Sequence, residues 1–236
     1  MYKVKCTLIE FVGDERKYPC HFNYKIGDEI YYDGVHFTGR ICPGLLPSMM
    51  PVVHGTYLLG HKFTETVMHR YRGSDTRDPQ MEVYDGGGYR PVISPASPET
   101  AGKEGEFEKK SSTGRFSGHH FLCGDQRTLA HFTCEAVDLS DSYYAQPFYR
   151  REISILDKIA SEPGINTNEI IDRFTEFQKN VISPRLTPVL MGVLLEALED
   201  MDYISIKDGK AYATGKEPPS RPKITSSEEY ERSMKL

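Results

Sequence analysis

The feature that most narrows the fold is a change of hydrophobic spacing at about Tyr149. Before it, short alternating or aromatic-rich runs (Val4 to Phe11, Glu29 to Tyr32, Val52 to Leu59) are punctuated by Gly-Asp, Asp-Gly and Pro-Gly pairs, the text of strands and turns. After it, Ile153, Leu156, Ile159 and Ala160 recur on one helical face that ends before Gly164. A chain of 236 residues has room for two domains at roughly 100 to 150 residues each. The expectation is an α+β protein: a β-rich domain over 1–149, a helical domain over 150–215 and a Pro-, Ser- and Glu-rich tail over 216–236. Within the first domain, Asp33-Gly34 predicts a two-residue type I′ hairpin. Residues 73–118 shift to Gly, Pro, Ser, Glu and Lys, with Asp85-Gly-Gly-Gly and Ser94-Pro-Ala-Ser-Pro, and read as a long loop or insertion. Strand-like text returns over 119–139.

In the second half, Asn166 or Thr167 is positioned to cap a second helix. Pro184 and Pro188 precede a third, Val189 to Met201, and Asp208-Gly209 joins two short strands. Helix, helix, helix, hairpin over 151–215 resembles the winged-helix family. A member that reads DNA needs Lys, Arg, Asn or Gln on its third helix. Here the stretch from Pro188 to Asp202 holds no base and four acids, and 151–215 carries 7 Lys/Arg against 11 Asp/Glu, a charge of −4. Such a surface repels phosphate, so nucleic acid is not the expected partner. Leu190, Met191, Val193, Leu194, Leu195 and Leu198 cover more than one helix face, which predicts a subunit interface and a homodimer.

Composition excludes further classes. Hydrophobic residues at 38%, with 15 Tyr and 11 Phe, suffice for a core. No apolar run reaches the roughly 18 to 20 residues of a membrane helix, and the first residues alternate like a strand instead of forming a signal peptide. Five Cys, an odd number spread along the chain, fit reduced thiols. Together these predict a cytoplasmic protein with no membrane attachment. The net charge of −5 comes without a polybasic block. No P-loop, no G-x-G-x-x-G after a strand and no nucleophile elbow is present.

All eight His and all five Cys lie before residue 150, and imidazole and thiolate are the usual ligands of zinc and its neighbours. The densest run is His119-His120-Phe-Leu-Cys123-Gly-Asp125-Gln-Arg127-Thr-Leu-Ala-His131-Phe-Thr-Cys134. Strand alternation would put His119, Phe121 and Cys123 on one face, His120 and Leu122 on the other, and His131 and Cys134 on opposite faces. Cys20 and Cys42 each sit at a Pro- or Gly-flanked turn where amides can support a thiolate. The candidate ligands of a divalent transition metal (Zn, Mn or Fe) are His54, His119, Cys123, His131 and Cys42. Glu65, paired at four residues with His69, is the candidate base. Arg70 and Arg72, near Arg77, are candidate contacts to the carboxylate of a small-molecule substrate.

The neighbourhoods of three Cys resemble a family of small cysteine-containing proteins of anaerobic bacteria that has no settled activity. The resemblance rests on Cys20, Phe22, Gly27 and Ile30, then Cys42 and Pro51, then Cys123, Asp125, Phe132 and Glu135. His21 replaces the family's Pro, Gln126 its Gly, Arg127 falls one place early, and 73–118 is inserted. It implies that Cys20, Cys42 and Cys123 matter more than Cys6 and Cys134, and it implies an anaerobe's cytoplasm. The leading expectation is a metal-dependent enzyme, a hydrolase or lyase acting on a small carbonyl compound. The alternatives are a metal- or redox-sensing winged-helix regulator and a non-catalytic binding module.

Overall fold

A computed structural model describes residues 1–60, 63, 119–125 and 127–222. The protein contains both helices and antiparallel sheets, an α+β fold, and its contacts divide it into two compact units: Tyr2–Val137, and Met1 with the chain from Asp138 onward. Among the described residues no helix is long and apolar enough to cross a membrane.

The first unit is a five-stranded sheet in the order β3-β2-β1-β5-β4, made from β1 (Tyr2–Phe11), β2 (Glu29–Tyr32), β3 (Phe37–Thr38), β4 (His119–Leu122) and β5 (Ala130–Leu139). Along β1, Tyr2, Val4, Cys6 and Leu8 are buried and the residues between them are not, the alternation of a strand with one face in the core. Ile30, Phe121, Phe132 and Cys134 complete that face, with Phe121 stacked on Phe132 at 5.2 Å.

Helix α1 (Leu46–Leu59) covers the sheet with Met49, Val52, Val53, Thr56 and Tyr57, spaced i, i+3, i+4, i+7, i+8 as one apolar stripe demands. Residues 52–59 are therefore helical, not the strand that their apolar run suggests. Exposed Leu46, Leu58 and Leu59 blur the stripe in sequence, and Pro51 sits inside the helix at the cost of one backbone bond. The Asp33-Gly34 turn also differs from expectation. Tyr32 pairs with Phe37, leaving a four-residue loop, because the Asp33 carboxylate accepts the Val35 and His36 N–H groups at 2.8 and 2.7 Å.

The second unit contains α2 (Gln146–Ser161), β6 (Ile165–Asn166), a 3-10 turn (Ile170–Arg173), α3 (Glu176–Asn180), α4 (Pro188–Asp200), β7 (Ile204–Lys207) and β8 (Lys210–Ala213). Its sheet runs β6-β8-β7. The capped helix expected from Asn166 is instead a strand residue followed by the 3-10 turn. The helix that does form starts at Thr175, where a capping box with Gln178 satisfies the first amides. Helix α4 is capped by the Thr187 hydroxyl, which accepts the Leu190 N–H at 3.2 Å, and buries Met191, Leu194, Leu195 and Leu198. Asp208 and Gly209 both have positive φ, 50° and 73°, as a type I′ hairpin requires. Ser220 holds the start of the expected tail through hydrogen bonds with Tyr149 and Asp141.

Two charged side chains on α2 are buried. Arg151 donates to the carbonyls of Ile182 and Pro184. Glu152 is 1% exposed, neither of its oxygens accepts a hydrogen bond, and its nearest cation is the Met1 ammonium at 3.8 Å. Burial pushes its carboxyl up to about 7, with the ammonium pulling the other way. A raised folded-state value makes the contribution to stability complete below about pH 4.5 and lost as pH rises through about 7, a swing of about 3 kcal/mol. The Glu152→Gln variant is expected to melt higher than the parent at pH 8 and about equally at pH 5. Parallel Tm-against-pH curves for the two proteins would overturn this account.

Candidate functional site

Three separate segments meet at one rim of the five-stranded sheet. Beyond β1 the antiparallel ladder continues as the N–H groups of Val12, Gly13 and Asp14 donate to the carbonyls of Leu129, Thr128 and Arg127 at 3.0, 3.1 and 3.1 Å. The Thr128 hydroxyl then donates to the Tyr18 carbonyl at 2.9 Å. This lashes 12–24 to the β4–β5 connection. The third segment joins through Gly124 N–H to the Gly44 carbonyl at 3.4 Å.

Each segment carries one half-buried cysteine: Cys20, Cys42 and Cys123. Beside Cys20 and Cys42 is the buried Tyr24, whose ring meets Phe132 edge-on at 5.4 Å. Its hydroxyl accepts the Cys42 N–H at 2.9 Å and donates to the Arg40 carbonyl at 2.9 Å. Burial raises the Tyr24 hydroxyl above its ordinary value; the Cys42 amide opposes this, the Cys42 thiol adds to it, and Cys20 contributes as well. Cys123 closes the end of β4, and its sulfur accepts the Ala130 N–H at 3.1 Å. Burial raises the Cys123 thiol, backbone hydrogen bonds from Ala130 and to Asp125 oppose it, and the charges of Asp125 and Cys20 raise it further. Two guanidiniums flank the cluster. Arg40 lies over the Phe22 ring at 4.8 Å and 6.0 Å from the Tyr24 ring, and Arg127 lies over Tyr18 at 5.3 Å. The two guanidiniums lie against the aromatic rings of the rim, and burial keeps the Cys123 thiol in its protonated form.

The opposite face of the β4–β5 pair carries a hydrogen-bonded relay. Register sets Leu122 opposite His131 and His120 opposite Thr133, so His120 and His131 share the face away from Phe121 and Phe132. His131 Nδ1 lies 3.0 Å from Glu10 Oε1, and His131 Nε2 lies 3.1 Å from His120 Nδ1. With Glu10 ionised and both rings neutral, His131 donates from Nδ1 and accepts at Nε2 from His120. A carboxylate-backed imidazole pair of this kind is built to hold and pass a proton.

The five candidate metal ligands therefore do not assemble. Cys42 and Cys123 share the thiol rim. His119 and Cys123 lie at the two ends of β4, four residues or about 13 Å apart along a strand. His119 faces the Gly60 carbonyl at 3.3 Å and the Phe63 ring at 5.1 Å. His54 is exposed on α1 beside Tyr57, and both His131 nitrogens are engaged in the relay. Among the described residues no group of three or more His, Cys, Asp or Glu is arranged to hold a metal ion. Glu65, Arg70 and Arg72, with the 73–118 stretch, lie outside the described residues.

Sequence reasoning missed Tyr24, Arg40, Glu10 and the functional pairing of His120, because loop aromatics and cross-strand partners carry no periodic signal. Cys6 and Cys134 are packing thiols: they hydrogen-bond to each other, which with burial pushes the Cys6 thiol far up, and Cys134 also reaches the Thr56 hydroxyl at 3.5 Å. Comparison with known proteins finds no matching family model, no matching curated protein and no matching solved structure.

Gly13 tests how this rim is held. A Cβ there would collide with the carbonyl of Arg127 and with Thr128, both backbone. Gly13→Ala is expected to destabilise the protein by about 1 to 3 kcal/mol and to speed alkylation of Cys123 by opening the 127–129 ladder. Unchanged melting and unchanged alkylation would show that the ladder does not hold the rim.

Proposed function

We propose that the β-rich unit is a thiol-based sensor of soft metal ions or oxidants, and that residues 150–215 are a winged helix that serves as its docking module. The observation that carries the first part is that three distant segments bring Cys42 and Cys20 within electrostatic reach of the Tyr24 hydroxyl and Cys20 within reach of Cys123. A raised Cys123 thiol stays protonated at rest and gives up its proton when a soft cation displaces it. With hydrogen peroxide as oxidant, two thiols lose two protons and two electrons, forming one disulfide and two waters. The order of helices and hairpin, and the type I′ tip at Asp208-Gly209, support the winged-helix part.

The test is native alkylation with mass-spectrometric readout, run with and without Cd²⁺ or peroxide. Cys20, Cys42 and Cys123 are expected to react while buried Cys6 and Cys134 do not. Peroxide should protect two of the three together through one disulfide that a reductant reverses, a protection that a Cys→Ser change at either partner removes. Alkylation at the three sites that neither Cd²⁺ nor peroxide alters would sink the sensor reading.

A second reading keeps the metal-dependent enzyme, a hydrolase or lyase acting on a small carbonyl compound with Zn, Mn or Fe. The Glu10–His131–His120 relay favours it, since such chemistry needs a positioned proton carrier. Elemental analysis of protein purified without a His tag distinguishes the two. The enzyme reading expects close to one transition metal per chain; a folded, metal-free protein rejects it.

A further inference from the structure

The helix–hairpin unit carries two surfaces of opposite character on one chain. On α4, Val189 and Val193 are 79% and 55% exposed, and Glu196 is exposed on the same face, the three following i, i+4, i+7. The core side of α4 is already filled by Met191, Leu194, Leu195 and Leu198, so the two valines lie outside the unit's core and present most of their side chains to solvent. At the hairpin, register sets Lys207 directly opposite Lys210. Like charges in a directly paired position oppose strand pairing, and here they stand in a stretch whose charge is −4 over 151–215. With Ser205, Asp208 and Tyr212 the two lysines line an open concavity of about 500 Å³.

We infer that a second copy of this chain occupies that concavity, seating the Val189, Val193 and Glu196 stripe of its α4 there. The valines would meet the Tyr212 ring, 37% exposed, and the aliphatic stems of the lysines. The Glu196 carboxylate would meet the Lys207 and Lys210 ammoniums, which accounts for the like-charged pair at the tip. Because both surfaces belong to each chain, a two-fold axis makes the contact twice and closes a dimer. Nucleic acid fits the concavity less well, since Glu196, Glu199 and Asp200 lie on α4 and Glu199 is tied to the hairpin through the Ile206 N–H at 2.9 Å. The inference names the partner of the docking module proposed above and is independent of the thiol chemistry.

Sedimentation equilibrium of the full chain tests it. The expected result is twice the chain mass, falling toward the single mass with dilution and with added salt. The double change Lys207→Glu with Lys210→Glu should weaken self-association about tenfold or more, as should Glu196→Lys alone. An equimolar mixture of the two charge-reversed proteins should regain association, because each contact then pairs opposite charges again; this recovery also shows that both variants fold. A single-chain mass at every concentration, association indifferent to charge reversal, mixtures that stay apart, or growth without limit would each overturn the inference. So would duplex DNA binding that Lys207→Glu with Lys210→Glu abolishes, which would assign the hairpin to phosphate. The thiol measurements fail or succeed separately from this result.

Discussion

Everything distinctive about the β-rich unit depends on the hydrogen bonds that carry the β1 ladder past the end of the strand. By donating to Leu129, Thr128 and Arg127, the Val12, Gly13 and Asp14 amides bring the 12–24 loop against the β4–β5 connection. Without them Cys20 and Cys123 would belong to independent loops. The approach is so close that position 13 has no room for a Cβ, and backbone cannot yield as a side chain can. The β4–β5 register divides that pair into two faces, one giving aromatic stacking to the core and the other holding the histidine relay.

Two buried polar groups are paired very differently, with different consequences. Tyr24 is buried with its hydroxyl satisfied twice, so it acts as a rigid peg for the thiol rim. Glu152 is buried with no hydrogen bond to its oxygens, which makes the helix–hairpin unit sensitive to pH in a way its exposed ion pairs are not. Arg173 with Glu162 and Arg221 with Asp157 form such exposed pairs at 2.8 Å, where solvent screening leaves little net energy.

The legibility of the sequence followed the range of the physics. Val4 to Phe11, Glu29 to Tyr32, the third helix and the Asp208-Gly209 turn were readable because period and turn chemistry act between near neighbours. Helix α1 was not, since Pro51 and the exposed Leu46, Leu58 and Leu59 masked a stripe that is plain once Met49, Val52, Val53, Thr56 and Tyr57 are seen against the sheet. The Asp33 loop departed from a two-residue turn because a side-chain carboxylate outcompeted the backbone for two amides. At the candidate site, Cys20 and Cys42 stood out in the sequence through their Pro- and Gly-flanked turns, whereas their meeting with the Cys123 segment rests on contacts between distant stretches. The ligand set drawn from His54, His119, Cys123, His131 and Cys42 was dispersed because neighbours in sequence on one strand are separated by its rise.

By itself the sequence determined the change from strand-like to helical spacing near Tyr149, the alternation that turns Tyr2, Val4, Cys6 and Leu8 inward, the acidic helix before the Asp208-Gly209 hairpin and the confinement of every Cys and His to the first 150 residues. These follow from local spacing and from side-chain chemistry. Only the tertiary structure decided that the segments carrying Cys20, Cys42 and Cys123 meet at one rim, that Glu10, His131 and His120 form a chain, and that Glu152 is sealed from water. Each depends on contacts between residues far apart in sequence, and for the histidine chain on strand register, where a one-residue slip would turn His120 and His131 to the other face.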